Sequence, residues 1–135
     1  ALGTAMAAPE RQTILFIGDG SFQLTAQEIS TMVRHQLNPL IFVINNDGYT
    51  VERAIHGPDK SYNDIQMWRY ADLPKIFGDH VWTAKVETEP ELEAALEKQR
   101  ANSDKLRIIE VVMDKMDYPD RLAKIGEMCS EQNKY

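Results

Sequence analysis

Apolar residues gather in short blocks along the chain, and each block ends in a polar turn. Thr13–Gly18 (TILFIG) and Pro39–Asn45 (PLIFVIN) are near-continuous apolar runs. A run without polar alternation is what a strand covered on both faces requires, because neither side meets water. Val81–Val86 (VWTAKV) alternates and Leu106–Met113 (LRIIEVVM) is mostly apolar, so both read as further strands. Between these blocks the period changes. Phe22, Ala26, Ile29 and Val33 recur at helical spacing and predict one amphipathic helix. Thr88 followed by Glu91 is a capping box, after which Leu92, Ala95 and Leu96 form a buried helix face.

Three shorter segments complete the pattern. Ala1–Ala8 reads as the tail of a helix, and Tyr49–Ile55 as a short helix with Val51 and Ile55 on one side. Pro119–Gln132 reads as a closing helix with Leu122, Ile125 and Cys129 turned inward. His56–Leu73 contains HGPDKSYND, a cluster of turn formers, and is expected to be a long loop. Loops of that length in compact domains are often functional. Strands alternating with helices imply a mostly parallel sheet between helical layers, a three-layer α/β/α architecture. With 135 residues, the chain is expected to be a single domain, residues 1–135.

Composition narrows the partners. Net charge is −6 and the basic residues are scattered, which argues against nucleic acid or an anionic membrane as the target. No run approaches the roughly eighteen apolar residues of a membrane span. Cys129 stands alone, so no disulfide framework exists, and a reducing cytoplasm is the expected compartment. The first residues, ALGTAMAAPE, lack the pattern of a signal peptide and an initiator Met, and read as an internal stretch of something longer.

The chemistry lies in two turns. Gly18-Asp19-Gly20-Ser21 follows the first apolar run, and Asn46-Asp47-Gly48 follows the second. Either turn alone is an ordinary Asp-Gly turn. Together they would stand at the carboxyl ends of two strands joined by one right-handed crossover, where open α/β sheets bind ligands. Neighbouring strands lie roughly 4.8 Å apart, so one cation could bridge both turns. Asp19 offers a carboxylate oxygen, Asn46 an amide oxygen and Gly48 a backbone carbonyl. These hard oxygens suit Mg2+ and leave positions for water and phosphate. Gly18 and Gly20 allow close approach of backbone to ligand, and Ser21 opens the next helix, where free N–H groups attract phosphate.

Gly18-Asp19-Gly20 followed by Asn45-Asn46 resembles the signature of thiamine diphosphate enzymes. The longer stretch NNDGYTVERAIHGPDKSYNDI is similar to the pyruvate, indolepyruvate and branched-chain 2-oxo-acid decarboxylases. The resemblance implies that Asp19, Asn46 and Gly48 hold Mg2+. It implies that Gly20 and Ser21 contact the diphosphate and that Tyr49 and Val51 line the thiamine diphosphate pocket. Glu52 corresponds to the family's active-site glutamate, in enzymes where the cofactor serves as electron sink for loss of carbon dioxide from a 2-oxo acid. From spacing alone Glu52 reads instead as a surface carboxylate paired with His56 one turn later.

His35 and His80 are expected to face solvent or cap helices, and Trp68 and Trp82 to pack rather than to bind. The glutamates of ETEPELEAALE read as a solvated helix face. The resemblance covers the later part of the family's C-terminal domain. It places the glutamate that activates the cofactor, a histidine pair and the pyrimidine-gripping segment elsewhere, partly on a second subunit. The chain alone is therefore expected to be inactive and to work within a homo-oligomer. Two other readings compete. One is another thiamine diphosphate branch, of acetolactate synthase or benzoylformate decarboxylase type, against which Glu52 after DGYT speaks. The other is a non-catalytic α/β binding module, indifferent to loss of Asp19.

Overall fold

The computed structural model describes residues 1–132, with side chains to Cys129. Among them, four parallel strands form one sheet: β1 (Ile14–Gly18), β2 (Leu40–Asn45), β3 (Val81–Val86) and β4 (Leu106–Val112). Their spatial order is β1-β2-β4-β3. The helices are α1 (Leu2–Ala7), α2 (Asp19–Thr25), α3 (Glu28–Arg34), α4 (Thr50–His56), α5 (Glu89–Arg100) and α6 (Asp120–Gln132).

Alternate residues of the central strands feed two apolar layers. Ile41, Val43, Leu106 and Ile108 point to one face and pack with Phe22, Ala26, Ile29 and Met32 of the α2–α3 segment. Leu40, Phe42, Ile109 and Val86 point to the other, against Ala95, Leu92 and Leu96 of α5. Each fully buried aliphatic side chain contributes about 1.5–3 kcal/mol; β2 carries a contiguous apolar run, whereas the equally contiguous run of β1 is only partly covered. The three-layer α/β arrangement is the one the alternation of strands and helices predicts.

The single helix expected over Phe22–Val33 is resolved as two. Ala26 and Gln27 keep right-handed helical dihedrals, but the next hydrogen bonds run from Ile29 N–H to Ala26 O (3.1 Å) and from Ser30 N–H to Gln27 O (3.0 Å). The helix is tightened rather than interrupted. This tighter winding keeps Ala26, Ile29 and Met32 on the sheet side, so Met32 is buried and Val33 only half-buried.

The long segment after α4 is more ordered than a loop. It holds two 3-10 turns, Ser61–Asn63 and Leu73–Phe77, and buries Asn63 and Tyr70 completely. The Thr88 cap forms as expected, its hydroxyl accepting from Glu91 N–H at 3.4 Å. The inward face predicted for α6 needs correction, because Ile125 is 51% exposed. The tight contact is made by Gly126, where an added β-carbon would lie 2.5 Å from Ala54 O of α4. His80 is half-buried rather than solvent-facing, and its Nε2 is enclosed without a partner among the described residues. His35 caps the end of α3 and is exposed, as expected.

One face of the sheet is only half covered. α5 lies over β3 and β4, so Phe16 of β1 stacks on its register partner Phe42 (centroids 4.7 Å apart, planes within 8°) yet is 69% exposed. Ile14, two residues earlier on the same face, is also exposed. No helix among the described residues is long and apolar enough to cross a membrane.

Candidate functional site

The adjacency on which the bridging-cation reading depends is present. β1 pairs directly with β2, with Gly18 opposite Ile44, so the turns after the two strands stand side by side at the sheet's carboxyl edge. Asp19, the first residue of α2, is 1% exposed. One of its oxygens accepts from Gly20 N–H at 2.7 Å and the other from Gly48 N–H at 2.9 Å, across the gap between strands. Burial pushes the Asp19 carboxyl above its ordinary value, while these two N–H groups pull it back down. Each carboxylate oxygen retains a second lone pair for a ligand.

The second turn is shaped by its backbone. Gly48 has φ of +112°, and a β-carbon there would strike Asn63 O. That carbonyl also accepts from Tyr49 N–H at 2.9 Å, tying the turn to the Ser61–Asn63 segment. Gly20 is constrained differently, since its backbone is ordinary but a β-carbon would run into the Tyr49 ring. Glycine at position 20 thus lets the ring close over the first turn.

A cavity of about 300 Å3 opens between the turns. Asp19, Gly20, Ser21, Asn46, Gly48, Tyr49, Val51 and Glu52 all line it, together with Gly18 and Thr50. The residues that the resemblance assigns to cation, diphosphate, cofactor wall and substrate therefore border one space. Asn46 is half-buried, and Tyr49 and Val51 are exposed on the rim. Glu52 lies in the first turn of α4, and its carboxylate is 3.3 Å from His56 Nε2, so the pair expected from spacing forms on the cavity wall.

Sequence reasoning passed over the polar residues that hold this wall together. Arg53 is 1% exposed and donates to carbonyls of the Asn46–Asp47 turn, to Asn63 O and to Asp64. Thr50 Oγ1 donates to Lys115 O at 2.8 Å, fixing the start of α4. Glu110, buried on β4, accepts from Asn45 Nδ2 at 2.8 Å and from Ala71 N–H at 2.9 Å. None follows a spacing rule, because their partners come from distant turns.

The donor set suits a hard cation completed by its ligand. Among the described residues no three His, Cys, Asp or Glu side chains gather as a closed metal cage. Asp19, Asn46 and Gly48 line the cavity, and the Gly48 carbonyl accepts from Thr50 N–H at 3.1 Å. One carboxylate, one amide and one carbonyl would leave the remaining octahedral positions to water or phosphate oxygens. The residues present fit Mg2+ with a diphosphate.

Residues 1–111 match the family described as thiamine pyrophosphate enzyme, C-terminal TPP binding domain. The chain belongs to that family. It is 47% identical over 138 residues to a pyruvate decarboxylase of Aspergillus fumigatus, which covers 98% of this chain and 24% of the relative. It is 46% identical over 127 residues to an alpha-keto-acid decarboxylase of Mycobacterium avium, covering 93% of this chain and 22% of the relative. The chain thus spans about a quarter of the length of the relatives it matches. A thiamine diphosphate-dependent 4-hydroxybenzoylformate decarboxylase of Rhodococcus jostii RHA1 shares the fold, with TM-score 0.73 and 24% identity over 84% of this chain and 22% of its own.

Proposed function

We propose that the chain is the cation- and diphosphate-binding portion of a thiamine diphosphate-dependent decarboxylase that converts a 2-oxo acid to an aldehyde and carbon dioxide. The observation that carries this reading is the buried Asp19 carboxylate, held between Gly20 N–H and Gly48 N–H where two parallel strands end beside one cavity. Two relatives that match nearly the whole chain are named pyruvate decarboxylase and alpha-keto-acid decarboxylase.

In this reading Asp19, the Asn46 amide oxygen and the Gly48 carbonyl hold Mg2+. Gly20 and Ser21 contact the diphosphate, and Tyr49 and Val51 form the wall beside the cofactor. The bound cofactor supplies the electron sink for loss of carbon dioxide. Glu52 holds or delivers a proton at the reacting end of the substrate, and its contact with His56 at 3.3 Å gives that proton a second site. The exposed Phe16 and Ile14 support a further element of the reading, in which the rest of a longer cytoplasmic enzyme and a second subunit cover the bare half-face. On its own the chain binds and positions but does not turn over.

The test is calorimetric titration of thiamine diphosphate into the chain with Mg2+ and with chelator, alongside Asp19→Ala. Mg2+-dependent heat that vanishes in the variant supports the reading. The same titration and a carbon dioxide release assay on a longer chain carrying the preceding domains complete it. Silence there in both measurements sinks it.

A further inference from the structure

We infer that Arg53 is the positioning residue of the cation site, a buried clamp that sets where Asn46 and Gly48 stand; the inference rests on the function proposed above. Its guanidinium lies behind the Asn46–Asp47 turn, and its side chain has no exposed surface. Such a group is tolerated where most of its donors are used; here the two Nη groups are, while the buried Nε has no partner among the described residues. Arg53 Nη1 reaches Asn46 O at 3.5 Å. Nη2 donates to Asp47 O at 2.5 Å, Asn63 O at 3.2 Å and Asp64 Oδ1 at 2.8 Å. One planar fork therefore joins two consecutive carbonyls of the ligand turn to the 3-10 turn across from it. Only arginine offers a rigid fork of this reach.

The acceptors explain why the arrangement serves the turn rather than the fold at large. Asp47 has φ of +60° and Gly48 of +112°, so the turn occupies backbone space that two successive residues seldom share. Hydrogen bonds to Asn46 O and Asp47 O keep it there. Asn63 O accepts from Arg53 and also from Tyr49 N–H, so the clamp closes a ring around Gly48. Gly48 N–H is then aimed at Asp19. The ion-pair partner of Arg53, Asp64, is 63% exposed, so Asp64→Asn keeps a side-chain oxygen at that place while leaving the buried Arg53 charge to carbonyl acceptors. A cation bound through Asn46 and Gly48 inherits its geometry from this clamp.

The experiment compares wild type, Arg53→Gln, Arg53→Lys and Asp64→Asn in the 135-residue chain. Thiamine diphosphate binding is titrated over a range of Mg2+, with circular dichroism as the check on folding. The half-saturating Mg2+ concentration should rise about tenfold in Arg53→Gln, with the same stoichiometry at saturating Mg2+. Arg53→Lys should recover part of the shift, and Asp64→Asn should raise it about threefold. A purely structural residue would lower the folded fraction and leave the Mg2+ requirement of the folded fraction alone. A folded Arg53→Gln with the wild-type requirement overturns the inference; if Arg53→Gln does not fold, an unchanged requirement in Asp64→Asn does so instead. Amide exchange without ligand separates this failure from failure of the proposed function. If wild type binds nothing, exchange of the Gly48 and Tyr49 amides at least tenfold faster in Asp64→Asn or Arg53→Gln, with Ile41 and Ile108 unchanged, upholds the clamp. Unchanged exchange at Gly48 and Tyr49 overturns it.

Discussion

Gly48→Ala should be far more damaging than its size implies, and a second glycine shows why. Two causes add at position 48. A β-carbon at φ of +112° carries backbone strain of about 1–3 kcal/mol. It also meets Asn63 O, so the turn must shift and pull Gly48 N–H from the Asp19 carboxylate. A hydrogen bond to a charged group contributes about 1.5–3 kcal/mol. The expected loss is therefore roughly 3–5 kcal/mol, a large part of the 5–15 kcal/mol that typically holds a domain together. Gly57 is the control. Its φ is +103°, but a β-carbon there meets nothing within 4 Å. Gly57→Ala should cost only the strain, about 1–3 kcal/mol. Urea denaturation of both variants, at matching slopes, reads the difference. Equal midpoints would refute the claim that crowding around Asn63 shapes the turn.

Three further outcomes are expected. Gly126→Val should cost about 1–3 kcal/mol by overpacking against Ala54 O, read as a lower urea midpoint. Tyr70→Phe should cost about 0.5–1.5 kcal/mol at neutral pH, since Gln23 Nε2 loses its 2.8 Å bond to the phenol oxygen. Burial pushes the Tyr70 phenol above its ordinary value of 10.0, so the folded state favours its neutral form. That contribution is complete below pH 10.0 and falls away as pH rises through the higher folded value, so stability curves of wild type and Tyr70→Phe should converge there.

The strands were legible because buried parallel strands must be largely apolar on both faces, and Ile41, Val43, Leu106, Ile108 and Ile109 meet that demand, although Arg107 and Glu110 are buried among those of β4. The cavity was legible because its two turns follow directly on those strands, so placing β1 beside β2 brings Asp19 to Gly48. What escaped was decided by long-range contact. Ile125 was assigned inward for its apolar side chain, whereas α4 and α6 approach closely at Gly126, which has none. Arg53, Asn63 and Glu110 look like solvated residues in the sequence. Each is buried because partners from separate turns converge on it: Asp47 and Asp64 on Arg53, Gly57 on Asn63, Asn45 and Ala71 on Glu110. No local spacing encodes such convergence.

The central claim is that one cation bridges the ends of β1 and β2. Crystals grown with thiamine diphosphate and Mn2+ in place of Mg2+ would report the metal position by anomalous scattering. The account predicts one peak within coordination distance, about 2.0–2.3 Å, of an Asp19 oxygen, the Asn46 side-chain oxygen and Gly48 O. A peak held by other residues, with cofactor bound and these three oxygens turned away, would contradict it.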